Sequence, residues 1–299
     1  MSLRMKIGLW SDAHNFPNLV LMKLSAYHKV IGDQVEMLCH LNHYDRVYCS
    51  KTFDFTDSPE TYAAIRADEI LYGGTGYQNS KVTLPSEIEH IYPDYSLFPS
   101  YTQAYGFLTR GCPRACPFCV VSKKEGNKSM QVADLHEFWH GQKEIKLLDA
   151  NLLACENHEQ LLTQLAASGA WIDVTQGFDI RLVTPDNMPL INHLKIRSMH
   201  FAWDNPCEDL IDQFQYFITH TTMTKHQRPA VYVLTNFGSS HEQDLYRVYR
   251  LRKLGYDPYI MIYDKPHAPR ETRLLQRWVN NKIIFRSTER FEEYNPKVG

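Results

Sequence analysis

Long hydrophobic runs are missing from this 299-residue chain: no apolar stretch approaches the ~20 residues that cross a bilayer. Charge of one sign is missing too. Lysine and arginine number 32 against 34 aspartate and glutamate, so no net field argues for a nucleic acid or an anionic membrane. A signal peptide is not expected, because Met1-Ser-Leu-Arg-Met5 leads straight into a short strand-like run. Met1 to Arg4 read as a leader ahead of a natural Met5. Low-complexity segments and internal repeats are also lacking. Seven cysteines, an odd number with three clustered, do not make a disulfide framework. The expectation is a reduced, cytoplasmic protein without a membrane partner. What remains is 43% apolar and 22% charged, ordinary for a globular chain of one large or two ordinary domains.

The first stretch alternates strands and helices. Met5–Ser11 reads as a buried strand, and Pro17 opens a helical pattern through Val20, Leu24, Tyr27 and Ile31 that Gly32 stops. Gln34–Leu38, Arg46–Cys49 and Glu69–Tyr72 read as further strands, with a helical turn or two between Glu60 and Ile65. This pattern predicts a small, open, parallel α/β domain. Leu84 to Ser100, carrying Pro85, Pro93 and Pro99, reads as a connector, which sets domains at 1–98 and 99–299.

From Tyr101 the alternation becomes regular. Strands are predicted at Tyr105–Thr109, Ile145–Asp149, Trp171–Gln176, Ser198–Asp204, Ala230–Asn236 and Asp257–Asp264. Asn157-x-x-Gln160 and Ser240-x-x-Gln243 resemble capping boxes, Thr184-Pro185 opens another helix, and Gly169 and Gly255 terminate. Six strand–helix units fall short of the eight of a full barrel, so the count predicts a (β/α)6 partial TIM barrel. In such barrels functional residues gather at the carboxyl ends of the strands. Those ends are Asp149-Ala-Asn151, Gln176-Gly-Phe-Asp179-Ile-Arg181, Trp203-Asp204-Asn205, Thr235-Asn236 and Tyr263-Asp264-Lys265. Each taken alone is also ordinary helix-cap and turn chemistry.

The chemical signal is Gly111-Cys112-Pro-Arg-Ala-Cys116-Pro-Phe-Cys119, on the loop leaving the first of these strands. Three thiolates on one short loop point to a metal or iron–sulfur site. A structural zinc or a ferredoxin-type cluster takes four protein ligands, and no fourth cysteine lies nearby. Two readings stay open: a cubane cluster with one iron left for an outside ligand, or a non-enzymatic iron–sulfur or zinc site completed by His136 or Cys155.

C-x3-C-x2-C with Phe118 before the last cysteine resembles the signature of radical S-adenosylmethionine enzymes. The flanking Thr109-Arg110-Gly111-Cys112-Pro113 and Cys116-Pro117-Phe118-Cys119 resemble the branch holding methylthiotransferases and enzymes with cobalamin-type N-terminal domains. The resemblance implies a [4Fe–4S] cluster on Cys112, Cys116 and Cys119, with S-adenosylmethionine on its open iron. It further implies reductive cleavage to a 5′-deoxyadenosyl radical, an electron donor such as flavodoxin or ferredoxin, and an unidentified substrate. Asp149 or Asn151 would meet the cofactor's ammonium; family members often carry Gly-Gly-Glu where this chain has Leu148-Asp149-Ala150. Gln176 is a further cofactor-binding candidate at the end of its strand. Arg181 would pair with the methionine carboxylate, or else with Asp179 or Asp204 of its own chain. Asp204 and Asn236 would hold ribose hydroxyls, and Phe118 would lie by the adenine.

The resemblance also implies a Rossmann-like, cobalamin-binding-like first domain. Asp12-Ala-His14 echoes the Asp-x-His of the cobalamin motif, but Pro17 stands where that motif needs glycine. Cobalamin is therefore disfavoured: His14 reads as a loop histidine, and Gly73-Gly-Thr-Gly76 as a tight turn. Only Cys39 and Cys49 precede the motif, one short of a second cluster's three, which disfavours a methylthiotransferase. Cys39, Cys49, Cys155 and Cys207 read as small apolar residues, with Cys155 the weak catalytic candidate because it follows the second strand's end. Arg270, Arg273 and Arg277 share one face of a last helix, followed by a strand-like Ile283-Ile-Phe285. That stripe reads as a solvated face, with RNA binding as its alternative.

Overall fold

The computed structural model describes residues 4–13, 16–77, 83–224 and 227–297. Met1–Leu3 and His14 lie outside them. The described chain is mixed α/β and forms two units, residues 1–106 with 133–144, and residues 107–132 with 145–299. No helix among the described residues is long and apolar enough to cross a membrane.

The first unit holds β1 (Lys6–Ser11), α1 (Leu19–Val30), β2 (Gln34–Met37), β3 (His43–Ser50), β4 (Arg66–Gly73) and a one-turn α2 (Ser86–Glu89). Its strands lie in the order β2-β1-β3-β4, every neighbouring pair parallel. The helix α1 starts where Asn18 accepts a hydrogen bond from the Leu21 amide, satisfying a donor the helix leaves unpaired. Ile7 and Leu9 bury against Leu21, Leu24 and Ile88, and Trp10 packs with Tyr44, Val47 and Cys49. The helical turn expected after Glu60 is a single 3-10 turn at Pro59–Thr61.

Asp12 and Gly74 both serve this unit's own backbone. Asp12 accepts from the Thr52 and Phe53 amides and the Thr56 hydroxyl at 2.7–2.9 Å. Burial pushes its carboxyl up, and those bonds more than offset this to leave it below its usual range. Gly74 has φ +97°, and a Cβ there would run into the Lys51 carbonyl oxygen. The glycine-rich turn is thus a close approach of the chain to itself.

The second sheet is built from β5 (Ala104–Gly106), β8 (Glu144–Leu147), β9 (Trp171–Val174), β10 (Lys195–Ala202), β11 (Ala230–Thr235) and β12 (Asp257–Ile262). Their order, β12-β11-β10-β9-β8-β5, follows the chain, and the pairs from β9 to β12 are parallel. A separate antiparallel ribbon pairs β6 (Thr109–Arg110) with β7 (Met130–Gln131). Here the structure departs from the single strand expected at Tyr105–Thr109. The amides of Leu108 and Thr109 donate to the Asp149 carboxylate, so the strand ends at Gly106 and resumes in the ribbon.

The helices are α3 (Val121–Lys124), α4 (His158–Ser168), α5 (Met188–His193), α6 (Ile211–His220), α7 (His241–Leu254), α8 (Arg270–Asn280) and α9 (Lys282–Ser287). Ser240 and Gln243 form the expected reciprocal cap, and Gly169 (φ +65°) and Gly255 (φ +90°) end α4 and α7 left-handed. Asn157 makes no side-chain cap bond to α4; its amide oxygen accepts the Cys155 thiol instead. Thr184 and Asn187 exchange side-chain-to-amide bonds, so α5 begins at Met188 rather than at Pro185. The strand-like Ile283–Phe285 is helical, because Asn281 caps it by accepting from the Ile283 and Ile284 amides. On α8, Leu275, Trp278 and Val279 are buried and Arg270, Arg273 and Arg277 exposed.

Candidate functional site

The cysteine loop leaves β6 through Gly111, whose φ is +86° and whose missing Cβ leaves room for the Lys128 carbonyl oxygen. Its amide donates to Glu125, and that of Cys112 donates to the Gly126 carbonyl at 3.1 Å. Ala115 sits at φ +47°, unusual for a residue with a Cβ, and the Cys119 amide closes a turn onto the Cys116 carbonyl. All three thiols are free and half-buried. Burial raises the Cys116 pKa, and the charges of Asp204, Cys112 and Cys119 raise it further. The three thiols and Asp204 therefore share one neighbourhood. Phe118 meets Phe237 edge to face, ring centroids 5.4 Å apart.

Around this loop the polar strand ends divide into committed and open groups. Asp149 is committed: its buried carboxylate accepts from the Leu108 amide (3.1 Å), the Thr109 amide (2.5 Å) and the Thr109 hydroxyl (2.7 Å). Arg181 is committed as well, forked onto Glu208 at 2.6 and 2.7 Å and bonded to Asp179 at 2.8 Å. Of its two expected internal partners it takes Asp179, and Glu208 fills the other place. Asp179 also takes Arg114 of the cysteine loop at 2.6 Å, which tethers that loop to the end of β9. Asn236 adopts φ +60° and donates to the Tyr263 carbonyl, tying β11 to β12. Gln176 is exposed beyond β9. Cys155 is buried with its thiol bonded to Asn157, and Cys207 is exposed.

Asn151 is open. Its amide nitrogen lies 3.6 Å from the Cys112 sulfur and 3.5 Å from Asp179, while its Oδ1 is buried with no hydrogen-bond partner. A buried acceptor left unpaired costs on the order of 1–3 kcal/mol. Such an atom beside a cluster of thiols fits a site that receives a donor from a ligand. Asp204 is not open in this sense: its carboxyl accepts from the Leu234 amide, and burial pushes it up to about 6 despite that bond and the opposing charge of Arg247.

Arg247 was not singled out by sequence. It is buried on α7, donating to the carbonyls of Trp203, Asp204 and Leu234 and pairing with buried Asp244. One guanidinium thus holds the carboxyl ends of β10 and β11, where Asp204 and Asn236 sit. Its only sequence signal was a charge beside the apolar stripe of Val248 and Leu251.

Asp149 carries a pH signature. Burial outweighs the hydrogen bonds it accepts and pushes its carboxyl from 3.8 up to about 6. A carboxyl whose folded pKa is raised stabilises fully below the unfolded value and loses that contribution as pH rises through the folded one. The folded state binds the extra proton in this window, so stability falls between about pH 4 and pH 7, by about 3 kcal/mol at most. Urea midpoints of the chain and of Asp149→Asn test this: the slope should flatten in the variant. Parallel slopes would remove Asp149 as the source.

Among the described residues no three Cys, His, Asp or Glu side chains are placed to hold a metal ion. A cubane cluster binds each thiolate to a different iron, so its sulfurs stand wider apart than around a single ion. The donor set, half-buried free thiols with an unpartnered Asn151 oxygen beside them, fits the cluster. No protein-family model matches the chain, and no curated protein matches it significantly.

Proposed function

We propose that the chain is a radical S-adenosylmethionine enzyme whose six-stranded sheet is a (β/α)6 partial barrel. Cys112, Cys116 and Cys119 would hold a [4Fe–4S] cluster, leaving one iron for the cofactor's amino and carboxylate groups. The chemistry supplied there is one-electron cleavage of the cofactor's sulfonium, yielding a 5′-deoxyadenosyl radical. The observation that carries this reading is Asn151, whose buried Oδ1 lacks a donor while its amide nitrogen faces Cys112.

The chain's own residues then divide the work. Asn151 accepts from the cofactor's ammonium, the role Asp149 gives up by clamping Leu108 and Thr109. Arg181, saturated by Asp179 and Glu208, braces the site through Asp179 and Arg114 rather than binding the methionine carboxylate. Phe118 and Phe237 supply an apolar wall for the adenine and exclude water. Cobalamin stays outside the proposal, since Asp12 and the Gly73–Gly76 turn serve their own backbone.

The test is anaerobic. Protein reconstituted with iron and sulfide, reduced by dithionite and given S-adenosylmethionine should release 5′-deoxyadenosine. A fully loaded cluster that forms none rejects the reading.

A further inference from the structure

One face of the second sheet is covered by apolar packing, through Ile172, Val174, Val231, Val233 and Ile260. Side chains alternate along a strand, so Asp173, Tyr232 and Tyr259 stand on the other face, and Thr175 directly follows the end of β9. There the register sets Asp173 opposite Ser198, Ala202 opposite Tyr232, and Tyr232 opposite Tyr259. The rings of His200 and Tyr232 lie parallel within 3° at 5.1 Å, and Tyr259 meets Tyr232 edge-on at 5.9 Å. Tyr259 remains 38% exposed. Three rings on three adjacent strands form an aromatic platform.

Next to the platform are polar atoms without partners. Asp173 Oδ1 and Thr175 Oγ1 are both buried and unbonded. The proximity of Asp173 is registered by Tyr232, whose pKa is raised first by burial and then by that carboxylate. His200 Nδ1 lies 3.0 Å from the Val174 carbonyl, so Nδ1–H donates to it and the neutral ring keeps Nε2 as an acceptor. Two of the three groups are acceptors and the hydroxyl serves either way. Asp173 and Lys146, 3.8 Å apart, nearly cancel in charge. A polynucleotide backbone takes a row of cations, which this balanced pair does not supply. A π face bordered by a second tyrosine beside unsatisfied acceptors, with little net charge, complements a neutral heteroaromatic ring that bears N–H donors.

The geometry points to a nucleoside as the substrate held on this face, its base stacked on Tyr232 and bordered by Tyr259, with its N–H edge toward Asp173 and Thr175. As a substrate site it rests on the radical reading above, while the binding itself needs no cluster. Base–aromatic stacking and hydrogen bonds to a base edge are the forces protein sheets use to hold unpaired bases.

The test is equilibrium binding to the full chain without cluster, by calorimetry with adenosine, guanosine, cytidine and uridine, and with ribose as control. At least one nucleoside should bind, ribose should not, and S-adenosylmethionine should not displace the nucleoside. Tyr259→Ala, at a partly exposed position, and Asp173→Asn should each weaken binding at least tenfold with unchanged circular dichroism. Binding by no nucleoside, by a single-stranded oligonucleotide alone, or at undiminished strength in both variants overturns the inference. So does displacement by S-adenosylmethionine, which would put the nucleoside in the cofactor's place. Iron content and 5′-deoxyadenosine formation, measured separately on reconstituted protein, show whether the radical reading stands when the nucleoside inference fails.

Discussion

Cys116→Ala is expected to abolish 5′-deoxyadenosine formation and to strip the reconstituted protein of most of its iron, while leaving the fold intact. Three cysteines are the fewest that hold a cubane cluster with one open iron, so the loss of one leaves two ligands and no defined site. The fold survives because Cys116 is half-buried on a loop, not in either core, and its own hydrogen bond runs through its carbonyl to the Cys119 amide, which alanine retains. Cys155→Ala and Cys207→Ala supply the contrast. Both should keep full iron, since one thiol is bonded to Asn157 and the other faces solvent. Iron per chain and anaerobic product formation measure this directly. Full iron and full product in Cys116→Ala would reject the ligand assignment.

Arg247→Leu should cost about 3–5 kcal/mol of stability, because it leaves buried Asp244 without its counter-charge. It also removes the donor shared by the Trp203, Asp204 and Leu234 carbonyls. Removing both charges together is milder than removing one, so Arg247→Leu with Asp244→Leu should recover at least about 1 kcal/mol of the loss. Urea unfolding of the single and double variants measures both quantities. A single-variant cost below about 1 kcal/mol would mean that solvent reaches the pair and that Arg247 does not fix the ends of β10 and β11.

Periodicity carried much of the fold. The strands β1 to β4 and β8 to β12 fall within a few residues of their expected positions, because alternation and apolar runs are local properties of the chain. The Ser240 cap and the glycine terminators were legible for the same reason: each acts within a turn of its own helix. Where expectation and structure part, a distant partner decides. The strand expected at Tyr105–Thr109 breaks because Asp149, forty residues on, takes the amides of Leu108 and Thr109. Ile283–Phe285, apolar enough for a strand, is helical because Asn281 caps it and Phe285 packs on Trp278.

The candidate site divides along the same line. Sequence by itself determined the cysteine spacing, the aromatic before the third cysteine and the polar residues after each strand, since these are written in neighbouring positions. It could not assign roles among those polar residues, which are chemically alike as letters. Only the tertiary structure made Asp149 a backbone clamp, brought Glu208 to Arg181 beside the neighbouring Asp179, and left the Asn151 oxygen unpaired beside Cys112. The physical reason is that a carboxylate, guanidinium or amide is free for a ligand only when its own chain leaves it without a partner. Partners that lie 27 to 41 residues away are set by packing, not by spacing.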